Sequence, residues 1–204
     1  FPKQYLTEHK INLINSESDK NTTKFSISIS GTDRTLKLEN ECDPINYSSL
    51  DADGHIVSPI FHEISNDVFK KIKDDSNFLL VDPQGFLRQK DSKNNIILKK
   101  TDLDLSDVNA IKINPEEGQN IVSGSHDEMM LALQKKGIEY VLLTNKSDVS
   151  LLVKNRVYSL KLPNKHIHDT TGIGDIFCSA FTCTMLKEKD FLWALCFAAG
   201  SAQA

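Results

Sequence analysis

Ile138 to Thr144 is a nearly unbroken apolar run, and it narrows the folds open to this chain more than any other feature. A strand with one wet face alternates apolar and polar residues, whereas a continuous run suits a sheet covered on both faces. Phe78-Leu79-Leu80-Val81-Asp82 and Ala110-Ile111-Lys112-Ile113-Asn114 are further short strand candidates. Helix-period sequence lies between them. Asn66 could cap a helix carrying Val68, Phe69 and Ile72, and His126 to Lys136 turns Met129, Met130 and Leu133 inward, with Gly137 as its stop. This alternation, starting near residue 65, predicts an α/β core with a mostly parallel central sheet flanked by helices.

The earlier part of the chain has a different period. Residues 25–29 and 35–38 alternate apolar and polar side chains across Gly31-Thr32-Asp33, which reads as a β-hairpin with one exposed face. Two polar stretches, Asn15 to Thr23 and Arg88 to Asn95, read as surface connections. The expected organisation is a small β lid and connection over residues 1–50 and a core over 51–204.

The seven residues Asp169-Thr170-Thr171-Gly172-Ile173-Gly174-Asp175 hold the richest chemistry. Extended sequence with Val157, Tyr158, Leu160 and Leu162 leads toward them, and Ile176, Phe177, Ala180, Phe181, Thr184 and Met185 follow with helical spacing. The glycines therefore fall at a helix N-terminus, where unpaired backbone N–H groups and the helix dipole favour an anion. The competing reading is a Gly-rich turn whose first-turn Asp175 merely complements the dipole. Three other segments end predicted strands: Asp82-Pro83-Gln84-Gly85, Asn114-Pro115-Glu116-Glu117 and Thr144-Asn145-Lys146. Open α/β sheets bind their ligands beside the carboxyl ends of the strands, so the four segments point to one edge.

On these residues the chain resembles the ribokinase-like (PfkB) carbohydrate kinases. Asp169 to Phe177 matches the family's glycine signature, with Ile173 where alanine is usual. Asn114-x-x-Glu117 fits its Asn-x-x-Glu motif, and Val81-Asp82-Pro83 through Arg88 is similar to its Asp-Pro strand end. The resemblance implies an ATP-dependent, magnesium-requiring kinase acting on a hydroxyl of a sugar, sugar acid or nucleoside. Asp175 would accept the hydroxyl proton, which turns acidic as the oxygen bonds to phosphorus. Backbone N–H groups of Gly172, Ile173, Gly174 and Asp175 would form the anion hole.

The same resemblance assigns Asn114 and Glu117 to magnesium and its waters; the alternative is an Asn cap with Pro115 in the first turn. Asp169 and Thr171 match positions that bind a monovalent cation such as K+ in some members, against a purely local turn. Thr144 opens the nucleotide-contact region, where Lys146 stands in place of the family's glycine. Lys146 could pair with phosphate or be solvated. His166 and His168, two apart in extended sequence, face opposite ways and make a poor zinc pair. Arg34 reads as an exposed strand charge.

The family's amino-terminal substrate motif is not recognisable, and the sequence stops within an apolar helix, so the expectation is of a partial family fold. A homologue that has lost catalysis is the second reading. A dinucleotide oxidoreductase is a poor third, because Phe177 stands where Gly-x-Gly-x-x-Gly needs its last small residue, and no Gly-Lys-Ser/Thr phosphate loop is present. A net charge of −4 without a basic block argues against nucleic acid, and no apolar run is long enough for a membrane. Cys42, Cys178, Cys183 and Cys196 lack metal-ligand spacing and read as free thiols of a cytoplasmic protein. Lid-strand pairing in the family implies that the hairpin could form a homodimer.

Overall fold

The computed structural model describes residues 2–13, 18–30, 33–145, 147–163 and 171–204. A short helix α1 (Pro2–Glu8) precedes the antiparallel hairpin of β1 (Lys24–Ser30) and β2 (Asp33–Asn40). Leu38 is buried, as the alternation predicts, but Ile27 and Ile29, expected on the covered face, lie exposed. Then follow β3 (His55–Val57), α2 (Asn66–Asp75), β4 (Leu79–Val81), α3 (Gln84–Leu87), β5 (Arg88–Lys90) and β6 (Ile96–Leu98). The remainder is β7 (Ala110–Ile113), α4 (Pro115–Ile121), α5 (His126–Lys135), β8 (Tyr140–Thr144), β9 (Asp148–Val153), β10 (Arg156–Lys161), α6 (Ile173–Glu188) and α7 (Phe191–Ser201).

Six strands form the main sheet in the order β10-β9-β8-β7-β4-β3. The pairs from β3 to β8 are parallel, and β9 and β10 add an antiparallel edge. Strand alternation splits the core in two. Leu79, Val81, Ile111, Ile113, Val141 and Leu143 face one layer with α2 and α5. Leu80, Ala110 and Leu142 face the other, against Phe177, Phe181, Ala194 and Ala198 of α6 and α7. Burial on both faces explains the apolar runs, since the central positions of these strands are buried whichever way they point.

Three local expectations change. The helix after residue 65 is capped by Ser65, whose side chain accepts from the Val68 N–H; Asn66 is already inside the helix. A Ser one position earlier serves equally well as an N-cap. Arg88 to Asn95 is not a bare loop, because β5 pairs antiparallel with β6. Asp91 makes that turn, accepting through Oδ1 from the N–H groups of Lys93 and Asn95. Ile176, expected on the inward face of α6, is 48% exposed, whereas Phe177, Phe181, Thr184 and Met185 are buried. No helix among the described residues is long and apolar enough to cross a membrane.

Candidate active site

Register fixes the floor of the site. Leu80 pairs with Ala110 and Val81 with Ile111, so the next position, Asp82, falls beside Lys112. Ile56 pairs with Leu80 and Val57 with Val81, which carries Ser58 to the other side of Asp82. The Asp82 N–H to Val57 carbonyl bond of 2.8 Å continues that ladder past the named strands. Ser58, Asp82 and Lys112 thus form one row on the α6 side of the sheet, at its carboxyl edge.

Lys112 Nζ lies 2.9 Å from Asp82 Oδ2 and 3.9 Å from Glu117 Oε2. All three side chains are buried, with Asp82 and Glu117 each 3% exposed. Burial works against charge on Lys112, yet Asp82 and Glu117 outweigh it and lift the ammonium to about 12. Burial pushes the Glu117 carboxyl up, opposed by Lys112 and aided by the like charge of Asp82. Burial and the neighbouring Asp82 also push the Cys178 thiol up, to about 12, leaving it an inert core group.

The first turn of α6 rests on this row. Gly172 is its N-cap in the left-handed region (φ 80°), a conformation costly for any residue with a Cβ. A methyl group at Gly174 would meet Lys112 Nζ at 3.4 Å and Asp82 Oδ2 at 3.7 Å, ordinary contact distances, so the first turn of α6 packs directly over the ion pair. Among the described residues no side chain caps this turn, and the first helical bond runs from the Ile176 N–H to the Gly172 carbonyl. The N–H groups of Ile173, Gly174 and Asp175 therefore precede any intrahelical partner. By contrast α2, α4, α5 and α7 carry side-chain caps from Ser65, Asn114, Ser125 and Asp190. Asp175 stands exposed in this turn, and its Oδ1 accepts a 3.0 Å bond from Ser58 Oγ.

A sequence profile of the pfkB family of carbohydrate kinases matches residues 15–204. The chain belongs to that family. It is a kinase, a member of a group of sugar kinases with the ribokinase-like fold. No curated protein matches its sequence. Among solved structures, a pyrophosphate-dependent kinase in the ribokinase family, complexed with a pyrophosphate analog and myo-inositol, is 22% identical with a TM-score of 0.78. The match covers 91% of this chain and 68% of that one. A second pyrophosphate-dependent kinase, in a sulfate complex, is 19% identical at a TM-score of 0.80, covering 98% and 76%. Ribokinase from Arabidopsis thaliana, complexed with ribose and ATP, is 17% identical at a TM-score of 0.62, covering 90% and 62%.

In this pfkB-family chain the predicted residues converge in part. Gly172, Ile173, Gly174 and Asp175 form the α6 turn, and Glu117 approaches it through Lys112. Asn114 and Glu117 make a full capping box: Asn114 Oδ1 accepts from the Glu117 N–H at 2.8 Å, and Glu117 Oε2 accepts from the Asn114 N–H at 2.9 Å. That is the cap geometry, and it leaves Glu117 Oε1 outside the box. Thr144 ends β8, where its Oγ1 donates 3.3 Å to the Ile113 carbonyl. Thr171 sits exposed in the turn before Gly172. Lys146, Asp169, His166 and His168, and the Arg34 side chain, lie outside the described residues.

Sequence reasoning missed Lys112 and Ser58. A lysine between two isoleucines in a strand covered on both faces was the available signal for Lys112, since a buried ammonium requires an acidic partner. Nothing local marked Ser58. A shallow depression of about 530 Å3, lined in part by Lys73, Asn77, Asn109 and Lys136, lies at the amino ends of β4, β7 and β8, away from this centre.

Proposed function

We propose that the chain carries the catalytic centre of an ATP-dependent phosphotransferase acting on a hydroxyl of a sugar, sugar acid or nucleoside. The carrying observation is the α6 N-terminus, left without a side-chain cap among the described residues and with Asp175 in its first turn, set on the Asp82–Lys112–Glu117 cluster. Phosphoryl transfer asks chiefly for alignment and stabilised charge. The N–H groups of Ile173, Gly174 and Asp175, aided by the helix dipole, form the anion hole for the transferring group. Asp175 takes the acceptor proton as the new oxygen–phosphorus bond forms. Lys112 keeps the carboxylate-lined floor from repelling the donor.

Asp82 and Glu117 flank the Lys112 ammonium and Asp175 stands on the α6 turn set on this cluster, three carboxylates to one ammonium in a place assigned to a phosphate chain. That balance favours a divalent cation arriving with the donor. Among the described residues no group of three or more His, Cys, Asp or Glu is arranged to hold a metal by itself. This fits magnesium, which keeps several waters and needs one or two carboxylates. Glu117 and Asn114 would meet those waters, and the ion would neutralise charge on the donor phosphates. Asp169 and Thr171 remain the residues proposed for a monovalent cation.

A second donor has specific support: the two similar structures described first are pyrophosphate-dependent kinases, and Lys146 replaces the glycine of the family's nucleotide region. The test offers ATP and pyrophosphate, each with magnesium, to the full-length protein with a panel of polyols, sugars, sugar acids and nucleosides. Phosphorylated acceptor, read by mass spectrometry, is expected with at least one donor. ATP binding without product from any acceptor would favour the non-catalytic homologue instead.

A further inference from the structure

Ser58 is not part of the glycine signature, the Asn-x-x-Glu motif or the lid, yet its hydroxyl reaches Asp175 across 117 positions of sequence. Its backbone is held from several directions. Val57 is buried in the sheet, paired with Val81. Gly85 lies so close to the Pro59 carbonyl that a methyl group there would stand 2.4 Å from its carbon and oxygen. Arg88 Nη1 donates to the Ile60 carbonyl at 3.1 Å, and Glu63 accepts from the N–H groups of Ile60 and Phe61. The post is rigid, and the group it holds is an exposed carboxylate on the first turn of a helix, a place where a side chain otherwise samples several rotamers.

We infer that Ser58 is the positioning residue for Asp175. Its hydroxyl occupies Oδ1 and fixes the carboxylate plane, leaving Oδ2, which has no partner among the described residues, to receive the acceptor proton. A hydrogen bond to a charged acceptor is among the stronger kinds, and sub-ångström placement of a reacting group governs rate more than binding. This inference rests on the role of Asp175 proposed above, and it adds a residue that acts through that one.

The test compares Ser58→Ala, Ser58→Thr and wild type, each alone and combined with Asp175→Asn, in the full-length protein. Ser58→Ala should lower kcat about tenfold, a loss of about 1.4 kcal/mol, with acceptor KM within about twofold. Ser58→Thr, which keeps the hydroxyl, should recover most of that rate. In the Asp175→Asn background the alanine change should cost under about twofold, because the effect travels through the carboxylate. An unchanged kcat, a rise in KM alone, or an equal loss in the Asp175→Asn background would each overturn the inference. Three-bond NMR couplings of Asp175 give a readout that needs no turnover. One χ1 rotamer should dominate in wild type and Ser58→Thr and average out in Ser58→Ala. Identical couplings in all three would reject Ser58 as the post, whereas a wild type that fails to turn over but shows the rotamer change would reject only the kinase reading.

Discussion

Replacing Lys112 by methionine strands two carboxylates in the interior. Lys112 is 9% exposed, its ammonium is 2.9 Å from Asp82 and 3.9 Å from Glu117, and methionine fills nearly the same volume. At an effective dielectric of about 20, a contact of this length is worth roughly 6 kcal/mol before desolvation is charged against it. Losing one partner of a buried pair typically costs about 3–5 kcal/mol, because the remaining charge is uncompensated. For a domain of this size that corresponds to a fall in Tm of about 6–20 °C. Urea unfolding at pH 7, followed by circular dichroism, should show the lower midpoint with an unchanged m-value. The deficit should shrink in acid, as the stranded Glu117 carboxyl, already pushed up by burial, takes up a proton. The lysine itself sets an alkaline limb with a defined sign. Its folded-state value, raised from 10.5 to about 12, means that its contribution is complete below about pH 10.5 and is lost as pH rises through about 12. A Lys112→Met deficit under about 1 kcal/mol at pH 7 would refute the claim that this ion pair neutralises the floor of the site.

Two further outcomes separate structural from functional roles. Glu117→Gln retains an oxygen to accept the Asn114 N–H and removes a carboxylate that burial pushes up; such a group favours the fold below its ordinary range and loses that contribution as pH rises through its raised value. Its Tm should stay within about 4 °C of wild type while phosphoryl transfer falls and the magnesium requirement rises; unchanged kinetics in a magnesium titration would remove Glu117 from the metal's surroundings. Iodoacetamide at pH 8 should label Cys183 and Cys196, both exposed, and spare Cys178, whose thiol is buried and pushed up to about 12. Peptide mass spectrometry showing Cys178 modified in the native protein would mean that the core beneath α6 opens.

The sheet was legible because period is a direct record of burial. Val141, Leu142 and Leu143 had to be apolar on both faces, and they are buried in two separate clusters. The glycine signature was legible for a related reason: Gly172 answers to a left-handed backbone, a requirement visible in residue type. The turn at Asp91 was not, because an Asp-Ser-Lys-Asn-Asn stretch has the same composition whether it closes a hairpin or runs free. Ser58 and Lys112 became visible only through register. Strand pairing sets Ser58, Asp82 and Lys112 in one row although they are distant in sequence, and α6 brings Asp175 to Ser58. Asn114 and Glu117 show how one pattern can hold two roles, since the capping box that shapes α4 also fixes a carboxylate at the sheet edge.

Asp175 as the general base is tested most directly by kcat for Asp175→Asn, measured under saturating donor and acceptor with circular dichroism confirming an unchanged fold. Asparagine fills the same space and can still accept the Ser58 hydroxyl bond, but it cannot take a proton. A loss of about 10^2–10^4 in kcat, with donor binding retained, is the predicted result for a group acting as general base. Turnover equal to wild type would contradict it and remove Asp175 from the chemistry.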